Sequence, residues 1–527
     1  MSNPYDEAPH PSLPYPKSHP VHLATVAKLF GLEPPGVSGS RVLELGCARG
    51  GNLLPMSETL PGCRLLGIDS SARQVSEATD VIRAVGLENV EVRCTDILDV
   101  GEDFGCFDYI ICHGVYSWVP EPVRDKILRI CKANLAPQGI AYVSYNTYPG
   151  WHMRETIRDA MVYHVSRLPD AATKVRQARA LLEFLCESVP ADGGPYSALL
   201  AKELATLREQ PDAYLLHEHL EADNAPLYFH QFSERCERVG LAYVGDSDIG
   251  KMWAGGFGPE VTKILRKLGG NVIQLEQYMD FLRNRTFRRT LLCHQGHEVR
   301  HALGSDCLDA MCVSSQLDPV EATLDLASSS RSDFRQPNGV GVSTSDPIVK
   351  AALVVLRAIW PEAMGFETLL SAARSHLGRD SAAGARPAEL DRRTLALDLL
   401  NCFLAGAVEV SAHPPDVSAT APSHPATTRL ARHQARSGPF VTNLKHQSVK
   451  LGYADRVVLA HLDGSCDREG LVDALHEWCA RGALVVSRAG EKIDPDEVER
   501  DALAAVVGPS LRRLAYGGLL RGLPDRE

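Results

Sequence analysis

Several features that would each indicate a particular class of protein are missing from this 527-residue sequence. There is no basic excess, since 55 Lys and Arg stand against 66 Asp and Glu and the net charge is −11. The cationic surface of a nucleic-acid-binding or lipid-binding protein is therefore not expected. The 14 cysteines form no CxxC pair, which disfavours a zinc knuckle or a redox motif. No apolar run approaches the ~20 residues that span a bilayer, so no membrane insertion is predicted.

The beginning of the sequence also lacks the apolar centre of a signal peptide. Its first residues, MSNPYDEAPHPSLPYPKSHP, are polar and rich in proline. Most cysteines stand singly inside apolar runs, as Cys112 and Cys131 do, where cysteine behaves as a small core residue. These observations predict a cytoplasmic protein with free thiols. The mildly acidic surface would suit a cationic partner such as a lysine-rich protein.

What the sequence does contain, from residue 41 onward, is an alternation of β-like runs and amphipathic helical patterns. The runs cover 41–45, 64–69, 90–94, 107–112 and 140–145, and helices are predicted at 71–86 and 122–135. Strands separated by helices predict a parallel, doubly wound sheet, which binds ligands beyond the carboxyl ends of its strands. Two later runs, 241–246 and 287–293, are predicted to complete this sheet, the second as an antiparallel edge strand.

Changes in composition divide the whole chain into segments. We expect an N-terminal cap segment at 1–40, a sheet core at 41–150, a helical insertion at 151–225, the remaining sheet strands at 226–300, a winged-helix-like domain at 301–412, a Pro/Ser/Thr-rich linker at 413–428 and a C-terminal domain at 429–527. The insertion would cover the substrate or form a dimer contact. The predicted fold class is α/β, a Rossmann-like doubly wound sheet with a helical insertion, followed by α+β winged-helix-like domains.

The stretch RVLELGCARGGN (41–52) breaks an apolar run into small residues, which lets backbone approach a ligand closely. It has no GK[ST] and is not a P-loop, and Ala48 stands where the dinucleotide fingerprint has its middle glycine. Glu44 would repel a pyrophosphate but could orient a cationic amino-acid group through water. The stretch therefore favours S-adenosyl-L-methionine, which carries a sulfonium and an ammonium but no phosphate. The alternative is a tight strand-to-helix turn without a ligand.

Polar residues follow the next strands in a matching order. Asp69 ends the second strand, where a carboxylate can accept hydrogen bonds from both ribose hydroxyls, and Asp96 ends the third, placed to accept from an adenine amine. His113 and Gly114 end the fourth and would line the cofactor's tail. The predicted cofactor-binding residues are Glu44, Gly46, Cys47, Ala48, Gly50, Asn52, Asp69, Ser70, Asp96, Ile97, His113 and Gly114. Each carboxylate alone could be a solvated strand end or a helix cap, but their order on successive strands predicts a binding site.

These residues resemble those of the class I S-adenosylmethionine-dependent methyltransferases. A closer resemblance is to a bacterial protein-lysine methyltransferase family typified by rickettsial enzymes. It is carried by NPYDEAPHPSLPYPKSHPVHLATVAKLFGLEPP, SYNTYPGWHMRETIRDAMVYHV, YLLHEHLEADNAPLYFHQF and RTFRRTLLCH, and in the tail by HQARSGPFVTNLKHQSV. Members carry a methyltransferase regulatory domain, here within 226–300, and a winged-helix-like C-terminal part. The resemblance implies methyl transfer to the ε-amine of a protein lysine and suggests a homodimer.

Aromatic residues are predicted to line the methyl-acceptor site. Tyr116 and Trp118 follow the fourth strand, and Tyr145, Tyr148 and Trp151 follow the fifth. A dry aromatic pocket lowers the pKa of a lysine by desolvation and holds an alkylammonium by cation–π contact. We expect Trp151→Ala and Tyr116→Phe to impair transfer while leaving cofactor affinity nearly intact. The alternative is a proline–glycine turn whose aromatic residues only pack.

The segment before the first strand, with Tyr5, Asp6, Ser18 and His19, is expected to cap the cofactor. Removal of residues 1–20 should then weaken cofactor binding; the alternative is a disordered leader. The run LHEHLE (216–221) is not an HExxH motif, and in the run CHQGHEVRH (293–301) Cys293 lies in the predicted edge strand, so no metal is predicted. Glu218 is a candidate contact to the acceptor.

Two other functions stay open at the level of sequence. One is a methyltransferase that acts on a small molecule or a peptide natural product, which the large C-terminal half disfavours. The other is a winged-helix regulator that only senses S-adenosylmethionine. Residues 346–372 contain only Lys350 and Arg357 as cations, too few for a DNA-binding surface, so nucleic-acid binding is not predicted. We read the winged-helix part as a docking module.

Overall fold

A seven-stranded sheet forms the centre of the N-terminal half. The computed structural model describes residues 12–190, 193–379, 386–481, 484, 487–488, 491–492 and 499–522. The strands are β1 (Arg41–Leu45), β2 (Arg64–Asp69), β3 (Val90–Cys94), β4 (Phe107–Cys112), β5 (Leu135–Asn146), β6 (Leu241–Asp246) and β7 (Phe287–His294). Their order is β3-β2-β1-β4-β5-β7-β6, with β1 to β5 parallel. The predicted Rossmann-like sheet is confirmed.

The position predicted for the last strand is wrong in one respect. β7 is antiparallel, as expected, but it pairs with both β5 and β6 and is therefore not an edge strand. Its apolar residues Leu291 and Leu292 are consecutive and both buried. Consecutive buried residues are typical of a strand covered on both faces, but they do not distinguish an inner strand from an edge, because Tyr243 and Val244 of the edge strand β6 are also consecutive and buried.

Eleven helices accompany these strands in the described residues up to 294. They are α1 (Pro20–Leu29), α2 (Leu53–Thr59), α3 (Ala72–Val85), α4 (Glu121–Ala133), α5 (Gly150–Val165), α6 (Ala171–Ser188), α7 (Pro195–Glu209), α8 (Asp212–His219), α9 (Phe229–Arg238), α10 (Pro259–Leu268) and α11 (Val272–Arg283). Helix α3 shows why the boundaries lie where they do. The Ser71 hydroxyl accepts from the Gln74 amide at its start, and Gly86 ends it with φ of +71°.

Helices α5 to α8 form the predicted helical insertion. They share a hydrophobic core of their own, with Ile157, Ala178, Leu200 and Leu215 among its buried residues. Strand order reverses between β1 and β4, and this reversal opens a crevice at the carboxyl edge of the sheet. Because α8 is the last helix of the insertion and precedes the return to the sheet, it can bring side chains over that crevice.

The C-terminal half consists of short strands and longer helices. Its elements are β8 (Cys312–Ser314), β9 (Asp318–Pro319), β10 (Ser332–Arg335), β11 (Gly341–Thr344), α12 (Pro347–Ala358), β12 (Met364–Gly365), α13 (Phe366–His376), α14 (Ala388–Leu404), β13 (Glu409–Ser411), α15 (Arg429–Ser437), β14 (Phe440–Thr442), β15 (Ser448–Lys450), α16 (Tyr453–Ala460), α17 (Arg468–Ala480), β16 (Ser487–Arg488), β17 (Glu491–Lys492) and α18 (Arg500–Tyr516). Helices α12, α13 and α14 pack with the small sheet β12-β8-β13, an arrangement that suits the winged-helix interpretation of 301–412.

A shared hydrophobic core connects the N-terminal and C-terminal halves of the chain. One core runs from α1 and the sheet into α12 to α14, with Leu23, Phe30, Leu353 and Leu399 among its buried members. Buried residues between Ala431 and Leu520 form a second core. This last part docks on the sheet domain through Glu58 of α2, whose carboxylate accepts from the amides of Arg429 and Leu430 at 2.8 and 2.7 Å. Among the described residues, no helix is both long enough and apolar enough to cross a bilayer.

Candidate active site

A cavity of about 580 Å³ lies at the carboxyl edge of the sheet, where β1 and β4 diverge. Its floor is built from the residues that follow β1, β2, β3 and β4. All the predicted cofactor-binding residues except Gly50 are on its wall, namely Glu44, Gly46, Cys47, Ala48, Asn52, Asp69, Ser70, Asp96, Ile97, His113 and Gly114. The parallel strands bring these residues together because their carboxyl ends share one edge of the sheet.

The loop after β1 presents backbone to the cavity. Gly46 has φ of +72°, and a Cβ at this position would lie 2.5 Å from Cγ2 of Val115. The Ala48 amide donates to the Asp69 carboxylate at 2.8 Å, which holds the loop against the end of β2. Gly50 acts differently, because a Cβ there would lie 2.8 Å from the Leu54 side chain, so this glycine allows α2 to begin.

The two strand-end aspartates are held by backbone amides. Asp69 also accepts from the Ser71 amide at 2.9 Å, and Asp96 accepts from the Leu98 amide at 2.9 Å. Both carboxylates therefore cap the turns that follow their strands, while their side chains line the cavity. Capping and ligand binding are compatible, because the amides fix the direction in which each carboxylate points.

Glu44 is the buried acid of the cavity. One of its oxygens accepts from the Asn52 side-chain amide at 2.7 Å, whereas Oε2 is buried and has no hydrogen-bond partner among the residues that the structure describes. Burial raises the pKa of Glu44 to about 8, and Asp69 adds a smaller rise. A buried carboxylate oxygen without a partner costs free energy unless a cation or a donor reaches it. The site therefore fits the ammonium of an amino-acid group.

Residues 12–19, here called the N-terminal strap, pass over this cavity. Ser12, Leu13 and Tyr15 are on its wall. The Gly51 amide donates to the Ser12 hydroxyl at 2.6 Å, and the Tyr15 amide donates to Asn52 Oδ1 at 2.8 Å. The Tyr15 ring lies against His113, with centroids 3.7 Å apart.

The strap partly matches the predicted cap segment. Ser18 and His19 lie behind the cavity wall, where Ser18 contacts the Asn52 side chain and His19 accepts from the Val21 amide at the start of α1. Tyr5 and Asp6 lie outside the described residues. The cavity contacts of the segment come instead from Ser12, Leu13 and Tyr15.

The wall that faces the strand ends comes from the helical insertion and from β7. Gln210, Pro211, Tyr214, His217 and Glu218 project from α8 and the turn before it, and Phe287 projects from β7. Burial raises the pKa of the Glu218 carboxyl, and its oxygens make no hydrogen bond within the described part of the chain. Burial, together with the carboxylates of Glu44 and Glu218, raises the pKa of Tyr15 to about 12. The Tyr15 hydroxyl therefore lies within electrostatic reach of both acids.

The structure corrects the placement of most aromatic residues predicted for the acceptor site, since only Trp118 lines the cavity. Tyr116 and Tyr145 are fully buried against Phe232 of α9, with ring centroids 5.3 and 4.0 Å away. Trp151 is buried in edge contact with Trp118, with centroids 5.8 Å apart. Tyr148 stacks on His152 and donates to Glu155 outside the cavity. Nearness to a strand end did not tell which face of the sheet each ring would occupy.

Several cavity residues were missed by the sequence analysis. They are Ser12, Leu13, Tyr15, Gln74, Val115, Val119, Val123, Gln210, Pro211, Tyr214, His217 and Phe287. Tyr15, Tyr214 and Phe287 do lie in the stretches that carried the family resemblance, which is the available signal for them. In the run 293–301, His294, His297 and His301 each contact a separate backbone carbonyl. The described residues contain no group of three or more His, Cys, Asp or Glu placed to hold a metal ion.

Comparisons with known proteins agree with this geometry. A methyltransferase-domain family matches residues 42–139, a predicted methyltransferase regulatory domain matches 211–294, and the PKMT C-terminal winged-helix domain matches 423–519. The last match covers the C-terminal domain, whereas the winged-helix-like domain predicted from the sequence is at 301–412.

Full-length relatives are found as well. The uncharacterized protein RP789 of Rickettsia prowazekii is 36% identical over 525 residues, covering 98% of this chain and 94% of that protein. The structure of PKMT2 from Rickettsia typhi in complex with AdoHcy superposes with a TM-score of 0.87 at 32% identity, covering 98% of this chain and 100% of the other.

These matches extend over nearly the whole chain, and they coincide with a cavity whose floor suits an adenosyl group linked to a cationic amino acid. The chain belongs to the class I S-adenosylmethionine-dependent methyltransferases, in the family of the rickettsial PKMT proteins, and its methyl donor is S-adenosylmethionine.

Proposed function

We propose that this methyltransferase transfers its methyl group to the ε-amine of a lysine in a protein. The observation that carries the proposal is the Glu218 carboxylate, which lines the cavity without a hydrogen-bond partner in the described residues. Trp118, Tyr214 and Phe287 line the same cavity. A carboxylate among aromatic rings is suited to a cation on an alkyl chain, because it attracts the charge while the rings contact the chain. The matches to PKMT proteins support the same acceptor.

The chemical difficulty with a lysine acceptor is its proton. At a pKa of about 10.4, only about one amine in a thousand is neutral near pH 7.4, a cost of roughly 4 kcal/mol. Bound S-adenosylmethionine supplies a methyl group on a positively charged sulfur, which is already a good electrophile. The residues of this chain therefore have to orient the amine, exclude water and accept its proton.

Glu218 would accept the proton of the lysine amine, and the aromatic residues of the cavity would exclude water. Because burial raises the pKa of Glu218, its carboxylate is a better proton acceptor than an exposed one. Proton transfer from the lysine to Glu218 would leave two neutral groups in a poorly solvated cavity, which costs less than keeping two charges there. Tyr15, within electrostatic reach of both Glu44 and Glu218, lies where the donor and acceptor ends of the cavity meet.

The test is a search for the methylated product. The full chain is incubated with S-adenosylmethionine labelled in its methyl group and a bacterial lysate, and proteins are separated from small molecules. We expect label in the protein fraction, released on acid hydrolysis as methyllysine, and no such label from a Glu218→Ala enzyme. Label confined to small molecules or peptides, or recovered as another methylated amino acid, would contradict the lysine proposal while leaving the methyltransferase assignment intact.

We also propose that the enzyme is a cytoplasmic homodimer that meets its partner copy through the helical insertion. Tyr163, Phe184 and Tyr196 of α5, α6 and α7 are 85%, 60% and 42% exposed, an unusual exposure for large aromatic side chains. All 14 cysteines are free, which suits a reducing compartment. Sedimentation of the wild type against a Tyr163→Ser, Phe184→Ser double variant tests the dimer. A monomeric wild type would contradict it.

A further inference from the structure

Two adjacent helices, α10 and α11, present large apolar side chains to solvent. They pack against each other and are joined by the turn 269–271. The exposed apolar residues, here called the apolar face, are Val261, Ile264 and Leu268 of α10 and Tyr278, Phe281 and Leu282 of α11, each 37–55% exposed. A group of protruding aliphatic and aromatic side chains of this size indicates a site that another surface covers.

The exposed charge on the same helix pair is positive. Helix α11, which the structure describes completely, exposes no acid, because Glu276 and Asp280 are buried and pair with Arg288 of β7. Helix α10 exposes three cations and one acid, namely Lys263, Arg266, Lys267 and Glu260. The neighbouring helix α9 contains two arginines and two acids, so it adds no net charge. The net charge of −11 therefore conceals a local cationic surface, which composition alone did not predict.

An open cleft at the start of α10 is the second feature of this surface. Its volume is about 470 Å³, and its lining combines the backbone of Gly255 and Gly258 with the side chains of Lys263, Arg266 and Lys267. None of these three cations makes a hydrogen bond or ion pair with any described residue. The cleft therefore suits an oxygen anion such as a phosphate group.

The two features together distinguish between the partners that could cover this surface. A second copy of the chain is disfavoured, because a two-fold contact would bring the same cations of both copies together. A helix of a protein partner would need an apolar groove, whereas the cleft beside the apolar face is lined by cations and glycines. A lipid surface needs no groove, and it presents acyl chains and anionic headgroups at one boundary.

We propose that α10 and α11 dock on an anionic lipid surface. The apolar face enters the boundary between headgroups and acyl chains, and Lys263, Arg266 and Lys267 contact headgroup phosphates. The docking is peripheral, since no described helix is long and apolar enough to cross a bilayer. Leu282 lies five residues before Phe287, a distance of at most about 17 Å along the chain, and Phe287 lines the active-site cavity. Docking would therefore hold that cavity near the lipid surface, whichever acceptor the enzyme methylates.

Sedimentation of the full chain with lipid vesicles tests this proposal. The vesicles are made of phosphatidylcholine alone or of phosphatidylcholine with about one third phosphatidylglycerol, which supplies the negative charge. We expect the chain to bind the anionic vesicles, to bind them less as salt is raised, and to bind neutral vesicles weakly.

Two double variants separate the contributions of charge and of apolar contact. Lys263→Gln with Lys267→Gln should lower the partition coefficient by about fivefold for each lost cation. Phe281→Ser with Leu282→Ser should lower it by about tenfold or more, because two apolar side chains no longer leave water. All four side chains are exposed, so both variants should keep the unfolding temperature and the S-adenosylhomocysteine affinity of the wild type.

Matched controls remove the same groups elsewhere on the surface. Lys202→Gln with Lys450→Gln removes two exposed lysines, and Leu390→Ser removes a leucine of α14 that is 48% exposed. Both controls should bind anionic vesicles as the wild type does.

Three results would overturn the proposal. They are no binding to anionic vesicles, unchanged binding in both double variants, and equal loss of binding in the controls. Poly-L-glutamate is titrated as a mimic of an acidic protein. If it binds the wild type but not the lysine variant, and the vesicles do not bind, the surface belongs to an acidic protein partner instead. A failure of the lysine-methylation proposal would appear in the methylation assay and leave vesicle binding unaffected.

Discussion

The two walls of the active-site cavity are built on different principles. The strand-end wall consists of backbone and of carboxylates that amides already hold, as Asp69 is held by Ala48 and Ser71. The opposite wall consists of side chains from α8 and β7, and its acid, Glu218, makes no hydrogen bond with any described residue. The strand-end wall is fixed by its own hydrogen bonds, so it suits the cofactor, which is always the same molecule. The opposite wall has a carboxylate without a hydrogen-bond partner in the described residues, so it suits a methyl acceptor that can vary. Substitutions in the strand-end wall should change the affinity for the cofactor, and substitutions in the opposite wall should change the rate of methyl transfer.

The largest effect is expected from Gly46→Ala. The new Cβ would meet Val115 at 2.5 Å in a backbone conformation that L-residues rarely adopt. Movement of the loop should lower the affinity for S-adenosylhomocysteine on the order of 100-fold, measured by calorimetry. Gly39→Ala shares the positive φ but meets nothing within 4 Å, and it should bind normally. Equal affinity in the two variants would show that the loop does not form the cofactor wall.

A different kind of loss is expected from Glu218→Gln. The amide keeps the shape of the side chain but cannot take a proton, so the kcat for methyl transfer should fall by about 30-fold while cofactor affinity stays within about twofold. The loss should persist at high pH only if Glu218 also positions the amine. Glu209→Gln, an exposed acid at the end of α7, is the control. An equal loss of cofactor affinity would show that Glu218 also contributes to cofactor binding, against the proposed division between the two walls.

The ionisation of Glu44 should change the affinity for S-adenosylhomocysteine by about tenfold. With a pKa of about 8, folded Glu44 keeps a proton that the unfolded chain releases above about pH 4.3. The free energy of unfolding should therefore fall as pH rises from about 5 to about 8. Affinity for S-adenosylhomocysteine should rise, by about tenfold between about pH 6.5 and about pH 8, because its ammonium prefers the ionised acid.

Glu44→Gln should flatten both pH profiles. Calorimetry in two buffers of different ionisation enthalpy should show proton release on binding for the wild type and none for the variant. A wild-type affinity that does not change with pH would mean that the cationic group of the ligand binds elsewhere.

The smallest effects distinguish lining residues from packing residues. Trp118→Ala removes an aromatic ring from the cavity wall and should lower kcat/KM about fivefold. Tyr116→Phe should now leave activity unchanged, since the buried Tyr116 hydroxyl has no hydrogen-bond partner to lose among the described residues. Trp151→Ala should act mainly on stability, because this ring supports Trp118 from behind. Impaired transfer in Tyr116→Phe would restore the sequence-based assignment.

The sequence was sufficient for the first wall because topology fixes it. Once β1 to β4 were recognised as parallel strands, Glu44, Asp69, Asp96 and His113 had to meet at one edge. The second wall depends on where an insertion of four helices folds back, which local periodicity does not specify. Tyr145 shows the same limit inside the sheet, because a run buried on both faces gives no alternation from which to assign a face.

Asn52 lies where three distant stretches of the chain meet. Its side chain contacts Glu44, Ser18 and, from the C-terminal domain, His446 at 2.9 Å. A genetic screen for strains that have lost methylation would on this basis return lesions at residue 446 alongside lesions in the glycine loop. Such a mutant would mimic a cofactor defect although its lesion lies 394 codons from that of Asn52. A change in the C-terminal domain can therefore impair the cofactor site of the catalytic domain.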